Sequence, residues 1–183
     1  AQYDGKEWHS GYVAVAPSAT FWARSPNEIY LVGTRGSATL FDGKTFTKIS
    51  TGLTNPPLSD VWGDEDAVYA VGYGSSPDEG TETAFLSGNR SNWTINTKYD
   101  WTKLNPNDRN LIGAMGSVYR MSKNSKSWLL SGWGNWRLFS VESLSPFKAT
   151  KFFDLPNDFA AFRIRGSADN DLYISSQLNG VFY

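Results

Sequence analysis

The hexapeptide from Glu28 to Gly33, Glu-Ile-Tyr-Leu-Val-Gly, returns three times in looser form, and the spacing of the copies uses up the chain. The copies run from Ala67 to Gly72, Ser127 to Gly132 and Asp171 to Ser176, each ending on a tiny residue. From Gly33 through Gly72 and Gly132 to Ser176 the steps are 39, 60 and 44 residues, and continuing through Tyr183 back to Gly33 gives a step of 40. A unit of this length cannot bury its apolar face alone and must stack on its neighbours, so the chain is constrained to a repeat architecture.

Within each unit, runs rich in β-branched and aromatic residues alternate with turns rich in Gly, Asn, Asp, Ser and Pro. No stretch sustains a helical apolar period, so the fold class is all-β. The first unit is clearest: Ala19 to Arg24 innermost, then Ile29 to Val32, Ala38 to Phe41, and Thr45 to Ile49 outermost. Asp42-Gly43, like Asp4-Gly5, matches the two-residue hairpin turn that needs positive φ at both central positions. The second unit places strands at Val61-Trp62, Val68 to Val71, Thr83 to Leu86 and Trp93 to Asn96. An insertion from Lys98 to Gly116 accounts for the long step, after which Ser117 to Gly132 lies over Ser18 to Gly33 without a gap, followed by Trp136 to Val141 and Phe147 to Phe153. The fourth unit offers Ala161 to Arg165 and Leu172 to Ser175, then stops without an outer strand.

A period of about 40 to 50 residues with several strands per unit is the signature of a β-propeller. The expectation is one domain, 1–183, of four antiparallel four-stranded blades at about 18–51, 59–97, 117–153 and 159–183. The last would be completed by 1–10, so that N- and C-terminal strands pair and close the ring. Half of a larger propeller would look the same.

The residues Asn27 to Gly33 with Phe41 to Phe46, and Tyr3-Asp4-Gly5-Lys6-Glu7-Trp8, resemble the degenerate propeller repeats of bacterial cell-envelope and secreted proteins. The Asp-Gly-x-x-Trp turn is also similar to the Asp-box of sialidase-like propellers, Ser-x-Asp-x-Gly-x-x-Trp, although here no residue separates Asp4 from Gly5 or Asp42 from Gly43. The resemblance implies an extracellular or periplasmic binding or assembly protein. Ala1 fits a mature chain after leader removal, and equally a chain trimmed at that point; an extracytoplasmic location is the expectation.

Charge narrows the partners. Lys and Arg number 17 against 18 Asp and Glu, a net charge of -1, so no global field attracts nucleic acid or an anionic membrane, and neither is an expected partner. No run approaches the roughly 20 apolar residues of a membrane helix, so membrane insertion is not expected. With no Cys and a single His, His9, the chain offers neither a disulfide nor a conventional zinc site, and a Ser-His-acid triad has little to draw on. No cofactor, metal or catalytic residue is assigned. Asp64-Glu65-Asp66 and Asp169-Asn170-Asp171 carry oxygen ligands, but in turns that favour Asp and Asn for their own backbone bonding. Asp60, Asp64, Glu79, Glu82 and Asp154 keep a glycoside hydrolase or lyase open as an alternative.

Aromatic residues make up 15% of the chain, a high share that either fills the wedges between blades or, for a few of them, forms stacking platforms for a ligand. The loops joining second to third strand hold Arg35, Tyr73, Trp133, Asn135, Trp136 and Gln177, and the inter-unit connection adds Trp101 and Asn107. Flat rings beside amide and guanidinium donors suit a sugar, whose C–H face stacks while its hydroxyls pair. They also suit a protein hot spot. The expected site is therefore Trp133, Trp136, Asn135, Arg35, Tyr73 and Gln177, and the expected partner a glycan or a protein. A third possibility is a structural module of a larger propeller or surface filament.

Overall fold

The computed structural model describes residues 2–3, 5–9, 18–105, 112–122, 124–133, 135–156, 161–176 and 181–182. A short hairpin joins β1 (Gln2–Tyr3) to β2 (Trp8–His9). The first sheet follows as β3 (Ser18–Ser25), β4 (Glu28–Gly33), β5 (Ala38–Phe41) and β6 (Phe46–Ile49), antiparallel and in sequence order. The second comprises β7 (Asp60–Gly63), β8 (Val68–Tyr73), β9 (Glu82–Gly88) and β10 (Trp93–Asp100). The third holds β11 (Ala114–Arg120), β12 (Ser127–Trp133), β13 (Asn135–Leu144) and β14 (Phe147–Asp154). The fourth has three strands, β15 (Ala161–Ala168), β16 (Asp171–Ser176) and β17 (Val181–Phe182). The all-β expectation holds, and two single 3-10 turns are the only helical elements among the described residues. No described helix is long and apolar enough to cross a membrane.

Three expectations need correction. Among the described residues the last sheet gains no N-terminal strand: β1 and β2 pair with each other, and β17 is the last described strand of the fourth sheet. The turn between β1 and β2 carries Gly5 at φ 96, a conformation that glycine adopts readily. The Asp42-Gly43 hairpin forms with a longer turn: only Gly43 takes positive φ, and the Asp42 carboxylate accepts the amides of Lys44 at 2.9 Å and Thr45 at 2.7 Å. Those bonds hold the Asp42 carboxyl below the ordinary Asp range. Part of the expected 98–116 insertion is strand, because β10 runs on to Asp100 and β11 begins at Ala114.

Alternating side chains along each strand point to opposite faces, and this decides the packing. Tyr30 and Val32 of the first sheet meet Val68, Ala70 and Leu86 of the second. The intervening residues Tyr69, Val71 and Phe85 turn the other way, onto Met115, Val118, Leu129 and Phe139 of the third sheet. Trp128 and Leu130 then face Ile164 and Ile174 of the fourth. Trp128 thus fills the place that Tyr30 and Tyr69 hold in their sheets, one residue away from the gapless overlay. The bulge between Met115 and Ser117 has its counterpart between Ser18 and Thr20, so the slip arises in the β11–β12 connection, where six residues separate the paired Arg120 and Ser127 against five between Ala23 and Ile29, and no gapless overlay can fit both strands.

First strands pack in succession, β3 on β7, β7 on β11 and β11 on β15. Strand register makes Thr20, Asp60, Ser117 and Arg163 one equivalent set, and Trp22, Trp62, Tyr119 and Arg165 a second set two residues on.

Candidate functional site

The second equivalent set is a ladder of rings. Trp62 lies 6.3 Å from Trp22 and 5.3 Å from Tyr119, centroid to centroid. In the fourth sheet the ring is replaced by Arg165, whose guanidinium sits 4.3 Å from the Trp62 centroid, close enough for a cation–π contact. The first set centres on Asp60, which is fully buried. Its carboxylate accepts from Arg165 Nη1 and Nη2 at 3.1 and 2.9 Å, from the Val61 amide at 3.0 Å and from the Ser117 hydroxyl, with Arg163 Nη1 at 3.0 Å. A buried carboxylate without partners would cost several kcal/mol, so this set of donors is what allows Asp60 to sit where the first strands of the second and fourth sheets meet.

A further ionic layer lies where the first strands end. Arg24 Nε donates to the Asp64 carbonyl at 2.9 Å, and its Nη1 pairs with Glu28 at 2.5 Å. Arg120 donates to the Tyr69 hydroxyl and, through Nε, to the Ser122 carbonyl at 2.9 Å. Its Nε also lies 3.1 Å from Asp64 Oδ2, which has no aligned hydrogen bond, so that contact is electrostatic proximity alone.

These layers absorb much of the chemistry that the carboxylates offered. Asp60 and Asp64 are ion-paired near the first strands, and Asp64 Oδ1 also caps its turn through the amides of Asp66 and Ala67 at 2.8 and 2.9 Å. Glu82 pairs with Lys98 at 2.9 Å, and Asp154 with Arg137 at 3.1 Å and Lys151 at 2.9 Å. Lys151, followed by Arg137, holds the Asp154 carboxyl below the ordinary Asp range. Glu79 accepts from the amide and hydroxyl of Ser75. In the second acidic turn, Asp169 accepts the Lys126 amide at 3.1 Å and Asp171 accepts the Ser167 hydroxyl. No group of three His, Cys, Asp or Glu side chains able to hold a metal occurs among the described residues.

The aromatic residues of the loop end behave differently. Tyr73, at the last position of β8, stands edge-on to Trp101 on one side and to Trp136 on the other, each at 6.3 Å between centroids. All three are half-buried. Trp101 is fixed in the 3-10 turn Trp101–Lys103, its indole N–H donating to the Gly74 carbonyl at 3.0 Å and its amide to Thr81 at 3.2 Å. Asp100 caps that turn through the Thr102 hydroxyl and amide at 2.6 and 3.1 Å, and its carboxyl is drawn down to about 2, chiefly by the Thr102 hydroxyl. Trp136 lies across Gly116 of β11, where a Cβ would come 2.7 Å from the indole. Burial, with Glu79 second, raises the Tyr73 hydroxyl pKa and keeps it a neutral donor.

Of the expected site residues, Tyr73 and Trp136 are brought together, with Trp101 completing the corner. Trp133 and Asn135 pair across the tip of the β12–β13 hairpin, but their side chains lie outside the described residues, as do Gln177 and Asn107. Arg35 lines a separate cleft beside the first sheet, with Lys48, a residue that sequence reasoning passed over because nothing marks an exposed strand lysine as special. The burial of Asp60 depends on Arg163 and Arg165 about a hundred positions away, a spacing from which no single pairing can be read. No protein-family model, no curated protein and no solved structure matches the chain.

Proposed function

We propose that the four sheets are the blades of a small β-propeller and that the chain is a non-enzymatic binding module of bacterial cell-envelope or secreted type, working outside the cytoplasm and offering its loop end to a glycan. The propeller arrangement is supported by the two equivalent sets of first-strand residues, one residue per sheet in each, and by Asp60 of the second sheet meeting Arg163 and Arg165 of the fourth. The glycan assignment rests on one observation: Tyr73 bracketed by Trp101 and Trp136 at the end of the sheets. Three half-buried rings held at steep angles form a corner into which a sugar can set its C–H face, leaving its hydroxyls to the polar rim. Catalysis finds less support, because the candidate carboxylates are engaged in ion pairs and turn caps.

Titration calorimetry of the whole chain against a panel of neutral and charged oligosaccharides tests the glycan site. Trp101→Ala and Trp136→Ala are expected to weaken the bound sugar about tenfold each, the loss of one stacking contact of roughly 1–1.5 kcal/mol. Unchanged affinity for every sugar that binds would remove the aromatic corner from the function.

A second reading has its own support. Phe21 is 67% exposed and Tyr173 46% exposed, on faces of the first and fourth sheets that point away from the core. Such faces suit a module docked in a larger propeller or surface filament. Sedimentation analysis separates the two, since a monomer at high concentration favours the self-contained module.

A further inference from the structure

Arg35 is the one described non-glycine residue with positive φ, at φ 53 and ψ 38. Such a conformation is strained for a side-chain-bearing residue, and it is retained where the surrounding structure enforces it. Here the enforcement is visible. Thr51 Oγ1 donates to the Gly36 carbonyl at 2.7 Å, and a Cβ on Gly36 would come 2.4 Å from Leu53, so residues 34–36 are clamped against the segment leaving β6. Gly36 and Gly52 both take positive φ, at 65 and 72, and shape the two walls.

Between those walls lies a cleft of about 850 Å³, within the size range of small-ligand sites, about 300–1,000 Å³. Arg35 and Lys48 are its charged groups, and both are exposed. Among the described residues no Asp or Glu lines it, whereas Ser37, Ser50, Thr51 and Thr54 contribute hydroxyls and Leu53 an apolar floor. The arrangement differs from the rest of the molecule, where Arg24, Arg120, Arg137, Arg163 and Arg165 each face a carboxylate. Two like charges beside one cleft, with no acid among its described lining residues, raise the local potential and favour an anion there.

We infer that this cleft binds the carboxylate of an acidic sugar, such as a uronate unit within a polysaccharide. The Arg35 guanidinium takes the carboxylate through paired N–H donors, Lys48 adds a point charge, and the Ser and Thr hydroxyls exchange hydrogen bonds with the ring hydroxyls. Leu53 receives the C–H face of the ring. The surface is distinct from the Tyr73–Trp101–Trp136 corner, so the inference stands or falls separately from the glycan assignment made there.

The test uses the whole chain and three probes: trigalacturonate, its fully methyl-esterified and therefore neutral form, and inorganic sulfate. Trigalacturonate is expected to bind with an affinity that falls as salt rises, and the ester about tenfold more weakly or worse. Arg35→Asn, which tolerates the left-handed conformation, and Lys48→Gln are each expected to weaken the acid about three- to tenfold and leave Tm essentially unchanged. Trp136→Ala is expected to leave it unaffected. Equal binding of acid and ester, or wild-type affinity in both charge variants, overturns the site. Sulfate binding as tightly as the trisaccharide overturns the sugar assignment in favour of a bare oxyanion. Because Trp136→Ala reads the aromatic corner and Arg35→Asn the cleft, failure of either is told apart from failure of the other.

Discussion

The second and third sheets differ from the first and fourth in how many faces they bury. Val68, Tyr69, Ala70 and Val71 are successive residues of β8 and all are buried, the even positions against the first sheet and the odd ones against the third. In the first sheet Phe21 projects outward while Trp22 beside it packs inward, and in the fourth Tyr173 is exposed while Ile174 is buried. A strand covered on both sides reads as an unbroken apolar run, and one covered on a single side reads as an alternation. The middle sheets are therefore covered on both faces, whereas Phe21 and Tyr173 leave apolar surface open on the outer faces of the terminal sheets.

The sharpest way to break this comparison is at Asp60, which ties a middle sheet to a terminal one. Asp60→Ala leaves Arg163 and Arg165 facing each other without their anion, and a loss of about 3–5 kcal/mol in urea unfolding is expected. A loss under about 1 kcal/mol would mean that the fourth sheet adds little. Next comes Leu129, wholly buried between the second and third sheets. Leu129→Ala is expected to cost about 2–5 kcal/mol, against roughly 0.5 kcal/mol for Phe21→Ala on the outer face of the first sheet. Equal effects would erase the distinction between middle and terminal sheets.

Gly116→Ala tests a smaller contact. Its Cβ would come 2.7 Å from the Trp136 indole, so about 1–3 kcal/mol and a shift in Trp emission are expected as that ring moves off Tyr73. An unchanged spectrum would show that the ring does not rest there. The smallest effect concerns pH. The Asp100 carboxyl lies near about 2, below the ordinary Asp value of about 3.9, so its contribution is fully present above the ordinary value and is lost as pH falls through about 2. Carboxyl-detected NMR should place the Asp100 midpoint near 2, and a midpoint near 4 would detach it from Thr102.

What could be read from the residues alone follows from how local each choice is. The strands of the first two repeats were legible because Asp42-Gly43 and the Asp64 turn fix their hairpins within a few positions. The third repeat was read out of step, because the connection from Arg120 to Ser127 is one residue longer than that from Ala23 to Ile29 and a degenerate sequence does not mark the extra residue. Pairing of the chain ends is a non-local choice that no single segment signals, and the described N-terminal strands pair with each other. At the loop end, Tyr73 and Trp136 were legible as loop aromatics, whereas their meeting through Trp101 depends on a 3-10 turn set by Asp100. The left-handed conformation of Arg35 is invisible in sequence because Arg is not a residue that announces it.

The gathering of the first strands about Asp60 and Arg165 is the feature on which the four-sheet arrangement rests. A double-mutant cycle on Asp60→Asn and Arg165→Gln, read by urea unfolding, measures it directly. The geometry predicts a coupling of roughly 1.5–3 kcal/mol between residues 105 positions apart. Additive single effects, within about 0.5 kcal/mol, would contradict it and separate the fourth sheet from the second.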